Sequence, residues 1–289
     1  MTIRDVALPG IKDPEFYGGM LYHMFLAKKD FIVILQPVED FTDYPLKLDQ
    51  KENQLIIKDF IGRITEELME AFTPLMWLTN IAEEAVMEEN SQVAVIQTLY
   101  ELNEELADVL HFYIEMMILV GLDVPDILDH IYAERDLSNL QGIDDLAVIA
   151  HIIKEENILS FKYAGTRSIS NLNYKLVDKD GNSLIPTEIQ GGTQSGSIIY
   201  QSALNDTFNI IYLLNILRGK LKKKQWRDNE DKVEQNAINT LVLGGFKALM
   251  SLFEMIGYTP YSMYDCYLRK NVININRINE KIKRQNNGA

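Results

Sequence analysis

The chain has 289 residues, 47% apolar and 24% charged, which makes it a folded globular protein with length for one large domain or two ordinary ones. Its net charge of −14 excludes a general nucleic-acid or anionic-membrane surface, because phosphate-rich partners require clustered Lys and Arg. The single cysteine, Cys266, excludes an intrachain disulfide and a Cys-based zinc cage, and fits the reducing cytoplasm in which the protein is expected. The opening "MTIRDVALPGIKDPEF" lacks the apolar core of a signal peptide. No stretch reaches the roughly 18 uninterrupted apolar residues of a spanning helix, so no membrane partner is expected.

Residues 1–50 carry Pro9, Pro14, Pro37 and Pro45, which predicts an irregular extension with short helices. From Gln54 to Phe72 the apolar residues Leu55, Ile56, Ile57, Phe60, Ile61, Ile64, Leu68 and Ala71 recur at helical spacing. Pro74 is expected to end that helix, with a shorter one over 75–88. A long helix follows from about Val93 to Val120 and stops at Gly121, and Asp123 caps another with Pro125 in its first turn. Residues 160–200 differ: "YKLVDKDGNSLIPTEI" has the pattern of a β-hairpin turning at Asp180 and Gly181, and "QGGTQSGS" reads as a loop. This segment is too short for its own core and is expected to be an insertion. Helices resume at about 198–219, 231–257 and 261–283, with five cations clustered from Arg218 through "KLKKKQW". The expected architecture is one all-α bundle over 1–289 with a small β-hairpin insertion.

Two segments share an acidic pattern. "TEELMEAF" gives Glu67-x-x-Glu70 and "EELADVLHF" gives Glu105-x-x-Asp108. Residues three apart share a helix face. At about 100° per residue Glu67 falls inside its helix's apolar arc and Glu70 at the edge. Glu105 and Asp108 border the arc of Leu102, Leu106, Val109 and Met116, Phe112 falls between them, and His111 points away. One such pair is ordinarily a solvated helix rim. Two pairs turned inward would repel unless divalent cations join them, and hard oxygen ligands favour Mg²⁺, with Mn²⁺ as the alternative. Neither pair has the Glu-x-x-His form of di-iron bundles.

These residues resemble a known family. E-x-x-E followed a helix later by "ELADVLHF" is similar to the all-α nucleoside triphosphate pyrophosphohydrolases. The "LHF" is nearer to the dimeric dUTPase and phage dCTPase/dUTPase branch than to the shorter MazG-like branch. "YLRKNVININR" resembles the late motif of that branch, and "LLNILRGKLKKKQW" resembles an element between the motifs. The likeness spans roughly 50–125 and 200–289. It departs in the longer interval between the acidic pairs, and in the "RQNNGA" ending, where Ala289 stands in place of the family's Tyr. Gln50 and Gln54 are the nearest counterparts of an early element that reads the nucleotide.

The resemblance implies Mg²⁺ on Glu67, Glu70, Glu105 and Asp108, with Glu67 as the base, and hydrolysis of dUTP or dCTP to the monophosphate and pyrophosphate. It implies Lys270, Asn271, Asn274 and Arg277 (or Arg284) on the phosphate side, Arg218 and Lys220 as further phosphate contacts, Phe112 stacked on the base, and a homodimer. Arg218 and Lys220 would equally complement a helix C-terminus. A dimer is also expected because the run from Met116 to Val120 offers more apolar face than one neighbouring helix covers. The rivals are a broad-specificity house-cleaning pyrophosphatase, a non-enzymatic helical phage interaction protein, and a di-metal oxidase.

Overall fold

The computed structural model describes residues 19–35, 44–83, 89–132, 144–163, 193–221 and 234–287, and the regular structure in them is entirely helical. In chain order the helices are α1 (Met20–Leu35), α2 (Lys51–Glu83), α3 (Glu89–Val120), α4 (Val124–Tyr132), α5 (Asp145–Tyr163), α6 (Thr193–Lys220), α7 (Gln235–Met255) and α8 (Pro260–Asn287). Helix α2 packs between α3 and α6, α7 lies on α6, and α8 crosses α1 and α3. Phe60 meets Phe112 and Glu67 meets Glu105, so α2 and α3 run antiparallel.

The apolar stripe read from Gln54 to Phe72 faces the core: Ile57, Phe60, Ile61, Ile64, Leu68 and Ala71 are buried. Pro74 does not end that helix, which continues to Glu83. A proline inside a helix costs about 3 kcal/mol through the lost hydrogen bond and the clash one turn back. Burying Leu75 and Leu78, each worth about 1.5–3 kcal/mol, offsets it. The extension of 1–50 is likewise not wholly irregular. Its prolines flank α1 instead of interrupting it, and Leu21, Met24, Phe25, Phe31 and Ile32 enter the core.

Gly121 ends α3 as expected, at φ 88°. Its N–H donates to the Ile118 carbonyl and that of Leu122 to the Met117 carbonyl, the paired bonds of a left-handed cap. A side chain there would also meet Pro45, with a Cβ only 3.1 Å from the proline's Cβ. Asp123 starts α4, accepting from the Val124 N–H while Asp126 reaches back to the Asp123 N–H. Helix α7 is apolar and long enough to cross a membrane by composition, yet over half of that window is buried in the bundle.

The hairpin "YKLVDKDGNSLIPTEI" lies outside the described residues, as does Trp226. The ends of the expected insertion do not hold, since 160–163 close α5 and 193–200 open α6. The part of "QGGTQSGS" from Thr193 on, expected as a loop, is already the start of α6. The run from Met116 to Val120 is not a free face either. All five residues are at most 4% exposed, covered by this chain's own helices, so the apolar argument for a dimer fails there.

Candidate metal centre

Carboxylate oxygens of Glu67, Glu70 and Glu105 lie within 4.8 Å of one another. The i, i+3 spacing brings Glu67 and Glu70 to one side of α2, and antiparallel packing sets Glu105 of α3 opposite. Asp108, one turn on, accepts an ion pair from Lys270 of α8 at 2.6 Å. Lys270 is the cation that reaches this group of acids, and its charge also lowers the titration of Glu105. Four carboxylates are thus gathered around the α2–α3 seam with Lys270 paired to one of them.

The electrostatic result is a displaced titration. Burial, then the charges of Asp108, Glu105 and Glu70, push Glu67 up to about 7. Glu105 is also raised, first by burial and then by Glu70. When Glu67 is protonated it is the donor in its hydrogen bond to Glu105. Hard oxygen donors in a cluster short of positive charge suit Mg²⁺ or Mn²⁺ better than softer metals. Glu66 and Glu104 are exposed.

The other candidates separate. Asn271 is buried, and its Oδ1 has no hydrogen-bond partner. Asn274 is half-buried, Arg277 is exposed, and Arg284 pairs with Glu280 at 3.8 Å along its own helix. Arg218 and Lys220 are exposed at the end of α6, where Lys220 faces Glu234 at 4.0 Å instead of the acids. Phe112 is half-buried, edge-on to Phe60, and the Arg63 guanidinium lies over both rings at 5.3 and 5.8 Å. Gln54 is buried and donates to the Leu48 carbonyl at 2.7 Å. His111 does turn from the acids. It stacks on Tyr267 at 4.0 Å and bonds that residue's carbonyl through Nε2, and burial holds it neutral, well below the usual histidine range.

Arg63 went unnoticed in the sequence, although it stands one turn before Glu67 on the same face. A cavity of about 360 Å³ between α3 and α8 was also missed. Leu99, Ala107, Ile256 and Ile273 give it apolar walls, and Lys270 lines it as well, which joins it to the acids. Within it the Tyr258 hydroxyl donates to Asn103 Oδ1, and so does the Cys266 thiol at 3.2 Å. Burial pushes the thiol up to about 11 and raises the phenol well above its usual value, so both groups keep their protons.

A fold that is all-helical over the described residues, with a carboxylate cluster between α2 and α3, is the class that fold and site define. The chain matches no protein-family model, no curated protein and no solved structure at a significant level.

Proposed function

We propose that the protein is a Mg²⁺-dependent pyrophosphohydrolase of pyrimidine deoxynucleoside triphosphates, dUTP first and dCTP second, similar to the dimeric dUTPase and phage dCTPase/dUTPase branch. The convergence of Glu67, Glu70 and Glu105 within 4.8 Å, with Asp108 beside them, carries this reading. Glu70 is exposed, and the half-buried Glu67 and Glu105, hydrogen-bonded across the two helices, are what set the cluster apart from a solvated rim.

Glu67, Glu70, Glu105 and Asp108 would hold the metal, which when bound neutralises phosphate charge and acidifies water. The chain's own groups do the rest. Glu67, poised near neutrality, accepts the proton of the attacking water at its carboxylate. Lys270 exchanges Asp108 for phosphate oxygen, and Asn271 lies next to it on α8. The attack breaks one P–O bond of the triphosphate and releases a monophosphate and pyrophosphate.

The test is product analysis with each common deoxynucleoside triphosphate, with and without Mg²⁺. Pyrimidine-selective release of pyrophosphate is expected, and equal rates on purines would favour the house-cleaning alternative. No turnover with any of them would favour an interaction protein. The homodimer that the resemblance implies would use a different surface from Met116–Val120. Phe208 of α6 meets Phe72 of α2 edge-on, and Phe208, Tyr212, Met69 and Met76 are exposed. Light scattering on the eluting protein should give twice the chain mass, and Phe208→Glu should halve it.

A further inference from the structure

The cavity between α3 and α8 has the size of a small-ligand site, within the usual range of about 300–1,000 Å³. Its polar centre has a fixed polarity. An amide oxygen has two lone pairs; the Tyr258 hydroxyl donates to Asn103 Oδ1, and the Cys266 thiol lies 3.2 Å from the same oxygen and 3.7 Å from the Asn103 backbone carbonyl. The groove is therefore offered the other half of the amide, an NH₂ that can only donate. At the far end Lys270 belongs both to the cavity wall and to the ion pair with Asp108. None of the four acids lines the groove itself, so Lys270, one helical turn beyond Cys266, is the link between a molecule resting against Asn103 and the acidic cluster.

We propose that this groove takes the base of the nucleotide, and that Asn103 selects a ring carbonyl over an exocyclic amine, uracil over cytosine. The inference rests on the triphosphate reading for the other end of the ligand. The apolar side chains of Leu99, Ala107, Ile256 and Ile273 suit the faces of a flat ring. An NH₂ set against the 4-carbonyl of uracil makes a hydrogen bond, whereas against the 4-amine of cytosine it leaves two donors facing each other, both desolvated. The competing place for the base is the ledge of Phe60, Phe112 and Arg63.

Asn103→Asp tests this with little disturbance. A carboxylate still accepts from Tyr258 and Cys266, but it presents an acceptor to the groove in place of a donor. The ratio of kcat/KM for dUTP to that for dCTP should fall by about tenfold or more, while Phe112→Ala leaves it within about twofold. Calorimetric titration of the full chain with dUMP and dCMP should show the same reversal without requiring turnover. Asn103→Ala should bring the two affinities within about twofold, which gives the answer should Asn103→Asp not fold. A ratio unmoved by changes at Asn103, or one that follows Phe112→Ala, overturns the assignment. So does a wild-type chain that binds neither monophosphate. Asn103-dependent binding without hydrolysis would sink the catalytic reading and leave the groove standing. Hydrolysis indifferent to Asn103 would do the reverse.

Discussion

Two lysine–carboxylate pairs in this molecule look alike and behave as opposites. Lys28 of α1 meets Glu115 of α3 at 2.8 Å with both side chains only 2% exposed, one charge against one. Lys270 of α8 meets Asp108 of α3 at 2.6 Å, but three more carboxylates crowd the acid's other side. The first pair is balanced and sealed, which fixes α1 against the core. The second is outnumbered and half open, and the crowding shows in the raised titration of Glu67 and Glu105. Charge balance, more than burial, separates the structural pair from the site.

That contrast can be broken in four ways. Glu70→Ala should cost the larger share of Mg²⁺-dependent turnover, about 1,000-fold or ~4 kcal/mol in the barrier, with an unchanged helical spectrum. Full activity in that variant would remove the metal assignment. Lys28→Met should destabilise by about 3–5 kcal/mol in urea unfolding because it strands Glu115, while Lys28→Met with Glu115→Leu should recover most of the loss. A third expectation concerns pH in metal-free buffer. Glu67 titrates at about 7 in the folded chain against 4.5 ordinarily, so the folded state holds the extra proton between those values. Its contribution is fully present below about 4.5 and lost as pH rises through about 7. The melting temperature should fall over that window, Glu67→Gln should flatten the fall, and Mg²⁺ added above it should restore stability. The smallest effect is expected at Tyr113→Phe, which removes the hydroxyl's bond to the Val242 carbonyl and should cost about 1 kcal/mol in the same unfolding measurement.

The sequence made the acids legible because carboxylates three apart inside an apolar arc violate the periodicity around them. It gave the length of α2 poorly, because Pro74 is a local signal and the burial of Leu75 and Leu78 that overrides it is tertiary. Lys28 drew no reading from the sequence, because its partner Glu115 is far away in sequence. The same holds for the groove. Asn103 is an unremarked polar residue on α3, and only the arrival of Tyr258 and Cys266 fixes which half of its amide remains on offer. Local spacing carries one helix's share of a site. Contacts between distant helices carry the rest.

One feature of the frame bears on the order in which the molecule assembles. The first amides of α1, at Met20, Leu21 and Tyr22, donate to Asp144 and Asp145, and the same two aspartates also cap the start of α5. The cap of an early helix is thus synthesised more than a hundred residues after it. The contacts that hold α1, Glu115 for Lys28 and the two aspartates for its first amides, are therefore complete only once the chain has been made through Asp145. A cell making this protein has an apolar helix to shelter in the meantime.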